Sequence, residues 1–143
     1  MKIDYQKIFK KNIINILIDV LKNIEKNGLS DGHHLYITFL TNHPKVMIPK
    51  WIKDKYPSEM TIIIQYEYYN LNINKYDFSI GLSFNNIKAD LKISYDSVIS
   101  FADPYANFGL KLINKDLKIK KEKKNSNIRK KDNIIDINKF KKN

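Results

Sequence analysis

Alternation of apolar and polar positions is strictest in residues 76–112. Phe78, Ile80, Leu82 and Phe84 fall on one face, and Ser79, Gly81 and Ser83 on the other. That is the period of a half-buried strand. Asn85-Asn86 follows. Asparagine tolerates positive φ, so the pair predicts the tight turn of a hairpin. Ile87, Ala89, Leu91, Ile93 and Tyr95 then share one face of a second strand. Asp96-Ser97 is placed to cap a helical turn over residues 98–100. The aromatic segment 101–112 predicts a further strand around Pro104 and Gly109. Strand, hairpin, strand, turn, strand is the pattern of a small bent antiparallel sheet, which rolls into a partial barrel or two packed sheets.

Residues 4–27 carry a different period. Tyr5, Phe9, Ile13, Ile16, Leu17, Val20 and Ile24 recur at helical spacing, with Asp4 placed as N-cap and Gly28 as terminator. Ile8, Ile14, Ile18 and Leu21 widen the apolar stripe beyond one packing seam. A helix laid on the sheet uses one part of it, and a second copy of the chain is the commonest cover for the rest. Between helix and central stretch, residues 35–40 (LYITFL) read as a short strand. Residues 46–49 read as a second extended piece, 53–59 as a polar loop, and 60–71 (MTIIIQYEYYNL) as a longer strand. In the second half of that strand Gln65 and Glu67 share one face, and Tyr66 and Tyr68 the other.

The net charge of +11 suggests nucleic acid until its distribution is considered. Residues 114–143 hold 12 Lys/Arg against 4 Asp/Glu, a net +8, which leaves an ordinary +3 for the rest. Residues 114–132 have no usable periodicity and too little apolar surface to offset ordering, so they are expected to be a disordered linker. Residues 133–143 differ: Ile134, Ile135, Ile137 and Phe140 form an apolar cluster after a solvated tether, the pattern of a segment that docks on another protein.

The chain has no cysteine, which removes disulfides and thiolate metal sites and fits a reducing cytoplasm. The charged N-terminus does not read as a signal peptide, and no apolar run reaches membrane-spanning length. His33 and His34 are adjacent, so on an extended chain they point to opposite faces and chelate one metal poorly. No G-x-S-x-G elbow or G-x-x-x-x-G-K loop occurs, and Glu67, Asp77 and Asp90 do not form an acid/base pair by spacing. A catalytic role is therefore not expected. Aromatic residues crowd the β-region instead: Tyr66, Tyr68, Tyr69, Phe78, Phe84, Phe101, Tyr105 and Phe108. Bent sheets of this kind bind extended peptides or single-stranded nucleic acid in grooves, and the pattern does not choose between them.

Residues 28–71 (GLSDGHHLYITFLTNHPKVMIPKWIKDKYPSEMTIIIQYEYYNL), 78–86 (FSIGLSFNN) and 101–110 (FADPYANFGL) resemble the alphaproteobacterial branch of the stringent starvation protein B (SspB) family, and so does the closing NIIDINKF. The resemblance implies an α+β, mainly β fold: an N-terminal dimerisation helix (1–28), a small bent, Sm-related tag-binding domain (29–113), a linker (114–132) and a docking segment (133–143). It implies a specificity-enhancing adaptor of the ClpXP protease, without a cofactor or a metal. The implied partners are ssrA-tagged substrate proteins, the N-terminal domain of ClpX and a second copy of the chain. Gln65, Tyr66, Glu67, Tyr68, Leu82, Ser83 and Phe84 correspond to the tag groove. Ile134, Ile135, Ile137 and Phe140 correspond to the ClpX-docking segment, and Phe9, Ile13, Ile16, Leu17, Val20 and Ile24 to the dimer seam. The competing reading is an Sm- or OB-like RNA-binding module with a basic tail.

Overall fold

The computed structural model describes residues 2–112. The linker 114–132 and the docking residues Ile134, Ile135, Ile137 and Phe140 lie outside the described residues.

Helix α1 spans Tyr5–Asn27. Asp4 caps it, its carboxylate accepting from the Lys7 amide at 3.1 Å. Gly28, at φ 76°, ends it and donates its amide to the Ile24 carbonyl at 2.7 Å. Ile13, Leu17, Leu21 and Ile24 are buried along one side of α1. Each contributes about 1.5–3 kcal/mol by leaving water. This corrects the expected seam. Ile13, Leu17 and Ile24 belong to the chain's own core, whereas Phe9 and Ile16 stay exposed and Val20 half-buried. The broad stripe is two faces, because the sheets occupy only one side of the cylinder.

Two antiparallel sheets follow, and among the described residues no closed barrel forms. The first has the order β2-β1-β6-β7, the second β3-β4-β5. In the first, β1 (Leu35–Leu40) pairs with β2 (Glu59–Ile64), from Leu35 opposite Ile64 to Leu40 opposite Glu59. Leu35, Ile37 and Phe39 point into the core with Met60, Ile62 and Ile64. In the second, β4 (Asp77–Phe84) and β5 (Ile87–Ser94) form the expected hairpin. Asn85 and Asn86 supply its turn at φ 54° and 68°. Phe78, Ile80 and Leu82 are buried with Ala89, Leu91 and Ile93, as the alternation predicts, whereas Phe84 is half-buried and Ile87 exposed beside the turn.

Five expectations change in the structure. The strand over 60–71 is two strands in different sheets: β2 ends at Ile64 and β3 (Tyr69–Ile73) begins after a crossover. Twelve extended residues would run about 40 Å, longer than either sheet can use. Asn70, at φ 50°, marks the irregular start of β3, where the register against β4 shifts. The helical turn lies earlier than expected, as a 3₁₀ turn at Tyr95–Ser97. Ser97 Oγ donates to the Ser94 carbonyl at 2.7 Å, and Val98 is already paired with Phe39 in β6 (Val98–Asp103). The single strand expected over 101–112 is a hairpin of β6 and β7 (Phe108–Lys111). A 3₁₀ turn at Pro104–Ala106 joins them, capped by the Asp103 carboxylate, with Asn107 left-handed at φ 56°. The polar loop over 53–59 begins as a short helix, α2 (Lys50–Lys55), held by one buried residue, Ile52. The extended piece at 46–49 makes only a bridge, Met47 exchanging 2.9 Å backbone hydrogen bonds with Lys92.

Candidate functional site

β2 lies at the edge of the first sheet, and the β4–β5 hairpin ends the second. A groove of about 310 Å³ opens between them. Met60 and Ile62, both buried, form its floor. Thr61 and Ile63 face it from the outward side of β2, which alternates exposed and buried along its length. The crossover contributes Gln65, Tyr66 and Glu67, and β4 contributes Leu82, Ser83 and Phe84.

The crossover explains why those side chains are free to receive a ligand. Between Ile64 and Tyr69 the backbone pairs with neither sheet, so consecutive side chains need not alternate between core and solvent. Tyr66 is 81% exposed, the most exposed large hydrophobic residue among those described. On β4, strict period two turns Ser83 outward and keeps Leu82 at 6% exposure, with Phe84 half-buried at the strand's end. Trp51 of α2 meets the Phe84 ring edge-on, with centroids 6.3 Å apart. Tyr56, at the end of α2, forms the groove's lip. The buried Thr41 fixes that lip. Its hydroxyl donates to the Tyr56 carbonyl, and its amide donates to the Ser58 carbonyl at 2.9 Å.

All the expected groove residues except Tyr68 line this one cavity. Gln65, Tyr66 and Glu67 do so from a crossover, not from the strand expected for them. Tyr68 is corrected. Its ring packs against the core, and its hydroxyl reaches the Ile24 carbonyl at 3.5 Å, so it anchors the crossover to the end of α1. Tyr56, Met60, Thr61, Ile62 and Ile63 also line the groove and were not expected there from the sequence. The available signal was Ile63, a large aliphatic side chain at the outward position of an edge strand.

Among the described residues Glu67 is the only charged side chain lining the groove. Thr61, Gln65 and Ser83 offer neutral donors and acceptors beside the apolar floor. Such a lining suits an extended peptide: β2 is an edge strand among the described residues, and apolar and polar side chains line the groove beside it. It suits a phosphate backbone poorly, since phosphate binding draws on clustered cations. His33 serves the fold, its Nδ1 lying 2.7 Å from Asp103 Oδ2 and its ring edge-on to Tyr105. Among the described residues no cluster of three or more His, Cys, Asp or Glu is placed to hold a metal. No helix among them is long and apolar enough to cross a membrane.

A family model described as stringent starvation protein B matches residues 9–141. Comparison with curated proteins gives no match.

Proposed function

The chain belongs to the stringent starvation protein B family, an adaptor family rather than an enzymatic one, and from that premise we propose that it delivers ssrA-tagged proteins to ClpXP in the cytoplasm. The groove between β2 and β4 takes the tag as an extended peptide. Ile134, Ile135, Ile137 and Phe140 dock on the N-terminal domain of ClpX, and residues 114–132 join the two functions. Phe9, Ile16 and Val20 form the contact between two copies. The observation that carries the reading is the groove itself. Six of the seven residues expected there from the family resemblance line one cavity, and its only charge among the described residues is negative.

The mechanism is tethering. A tag held in the groove and a protease held by the tail make each other's second contact intramolecular, at an effective concentration on the order of millimolar. A coil of about 20 residues spans roughly 25 Å on average, and like charges extend it. The adaptor then lowers the substrate concentration that degradation requires without touching the proteolytic site.

Titrating the protein with fluorescent tag peptide, and separately with single-stranded RNA, tests the groove. Peptide is expected to bind, and Ser83→Arg to weaken it on the order of tenfold by filling the wall and opposing close approach. RNA binding with a steep salt dependence, together with peptide affinity indifferent to Ser83→Arg, would establish the RNA-binding alternative instead.

A further inference from the structure

One further face of α1 borders the core through Ile14 and Ile18 and lies apart from the proposed contact between copies. Lys7, Lys10, Lys11 and Lys22 lie along it, and Lys75 joins them from the turn between β3 and β4. They rim a cavity of about 1000 Å³ between the helix and that turn. Ile14, Ile18 and Ile73, all half-buried, give it an aliphatic floor. Tyr76 stands at its mouth, 71% exposed, with Lys75 Nζ 5.3 Å from the ring centroid.

The charge of this cavity is unbalanced. None of the five lysines forms an ion pair among the described residues. Among the described residues only two carboxylates, Asp19 and Asp96, line the same space. Lys7 and Lys11 stand one helical turn apart, a spacing at which like charges repel. A bound anionic partner would relieve that repulsion.

We propose that this cavity binds an extended acidic peptide segment, whose apolar side chains enter the aliphatic floor and whose carboxylates meet the lysine rim. Charge complementarity selects the occupant. The chain's own residues 114–143, at net +8, are repelled. Single-stranded nucleic acid fits less well: Asp19 and Asp96 oppose a continuous run of phosphates, and of the two lining rings Tyr95 is buried, which leaves Tyr76 as a single platform where a strand stacks successive bases. The site is separate from the tag groove, with no lining residue in common, and stands independently of that reading.

Fluorescence anisotropy of the full chain provides the test. The probes are a labelled peptide alternating glutamate and leucine, its glutamine counterpart, and oligothymidylate. The glutamate peptide is expected to bind and the glutamine peptide not to. Combined Lys10→Glu and Lys22→Glu substitution should weaken binding on the order of tenfold, and Lys75→Glu, which lies off the helix, should weaken it in the same direction. Unlabelled tag peptide should not displace the probe. Affinity unchanged by these substitutions would assign the peptide to the basic tail and overturn the proposal. So would displacement by tag peptide, or tighter binding of oligothymidylate with the same lysine dependence. Loss of this binding with tag binding intact leaves the groove reading standing, and the reverse result separates the two the other way.

Discussion

At Gly81 a missing side chain holds the second sheet together. Gly81 faces away from the core, opposite Tyr69 on β3, yet it is buried because the Tyr69 ring lies over it. A Cβ at that point would run into the ring. Gly81→Val must displace an aromatic ring from a paired strand, at a cost of about 1–3 kcal/mol. The expected result is a lower urea midpoint with an unchanged slope. Tyr95 carries a pH dependence. Burial, and then the neighbouring charge of Asp77, push its phenol up to about 12 from an ordinary 10.0. The folded state thus favours the protonated form. The stabilisation is complete below pH 10 and is lost as pH rises through about 12. Tyr95 also donates to the Asn74 carbonyl at 2.8 Å. Tyr95→Phe is expected to cost about 1 kcal/mol at neutral pH and to flatten the alkaline decline in urea-unfolding free energy. An equally steep decline in the variant would assign it to other groups.

Among the elements, α1 divides its labour by angle. Leu17 is fully buried, and Ile16, its neighbour in sequence, is 38% exposed. Leu17→Ala is expected to cost about 2–5 kcal/mol through an unfilled cavity, read as a fall in melting temperature. Ile16→Asp should leave that temperature near the wild-type value and shift sedimentation from dimer to monomer, if the exposed face joins two copies as proposed. Equal destabilisation by both substitutions would mean that the face is bound to the chain's own core. The sequence pattern identified α1 as amphipathic and too broadly apolar for one partner. It did not divide the residues between the two faces, because the division depends on where the sheets lie.

For the whole molecule, the proposed mechanism requires two separable binding functions on one chain. Deleting residues 133–143 is expected to leave tag-peptide affinity unchanged and to abolish the acceleration of ClpXP degradation of tagged substrate. Acceleration that survives the deletion would refute tethering. The periodicities by themselves determined the helix, the first strand, the β4–β5 hairpin and the buried face of both hairpin strands. These are local patterns, in which side-chain direction follows from position along one element. Adjacency of Ser83 to Gln65 and Glu67 was suggested only by family resemblance, not by any local pattern. Tertiary structure decided the rest. The chain leaves one sheet after Ile64 and enters the other at Tyr69, and only that crossover brings Gln65, Tyr66 and Glu67 opposite Ser83. The same crossover turns Tyr68 inward against α1. A change of sheet leaves no period in the sequence, because it is set by which surfaces must be covered on both sides of the core rather than by the residues that make the turn.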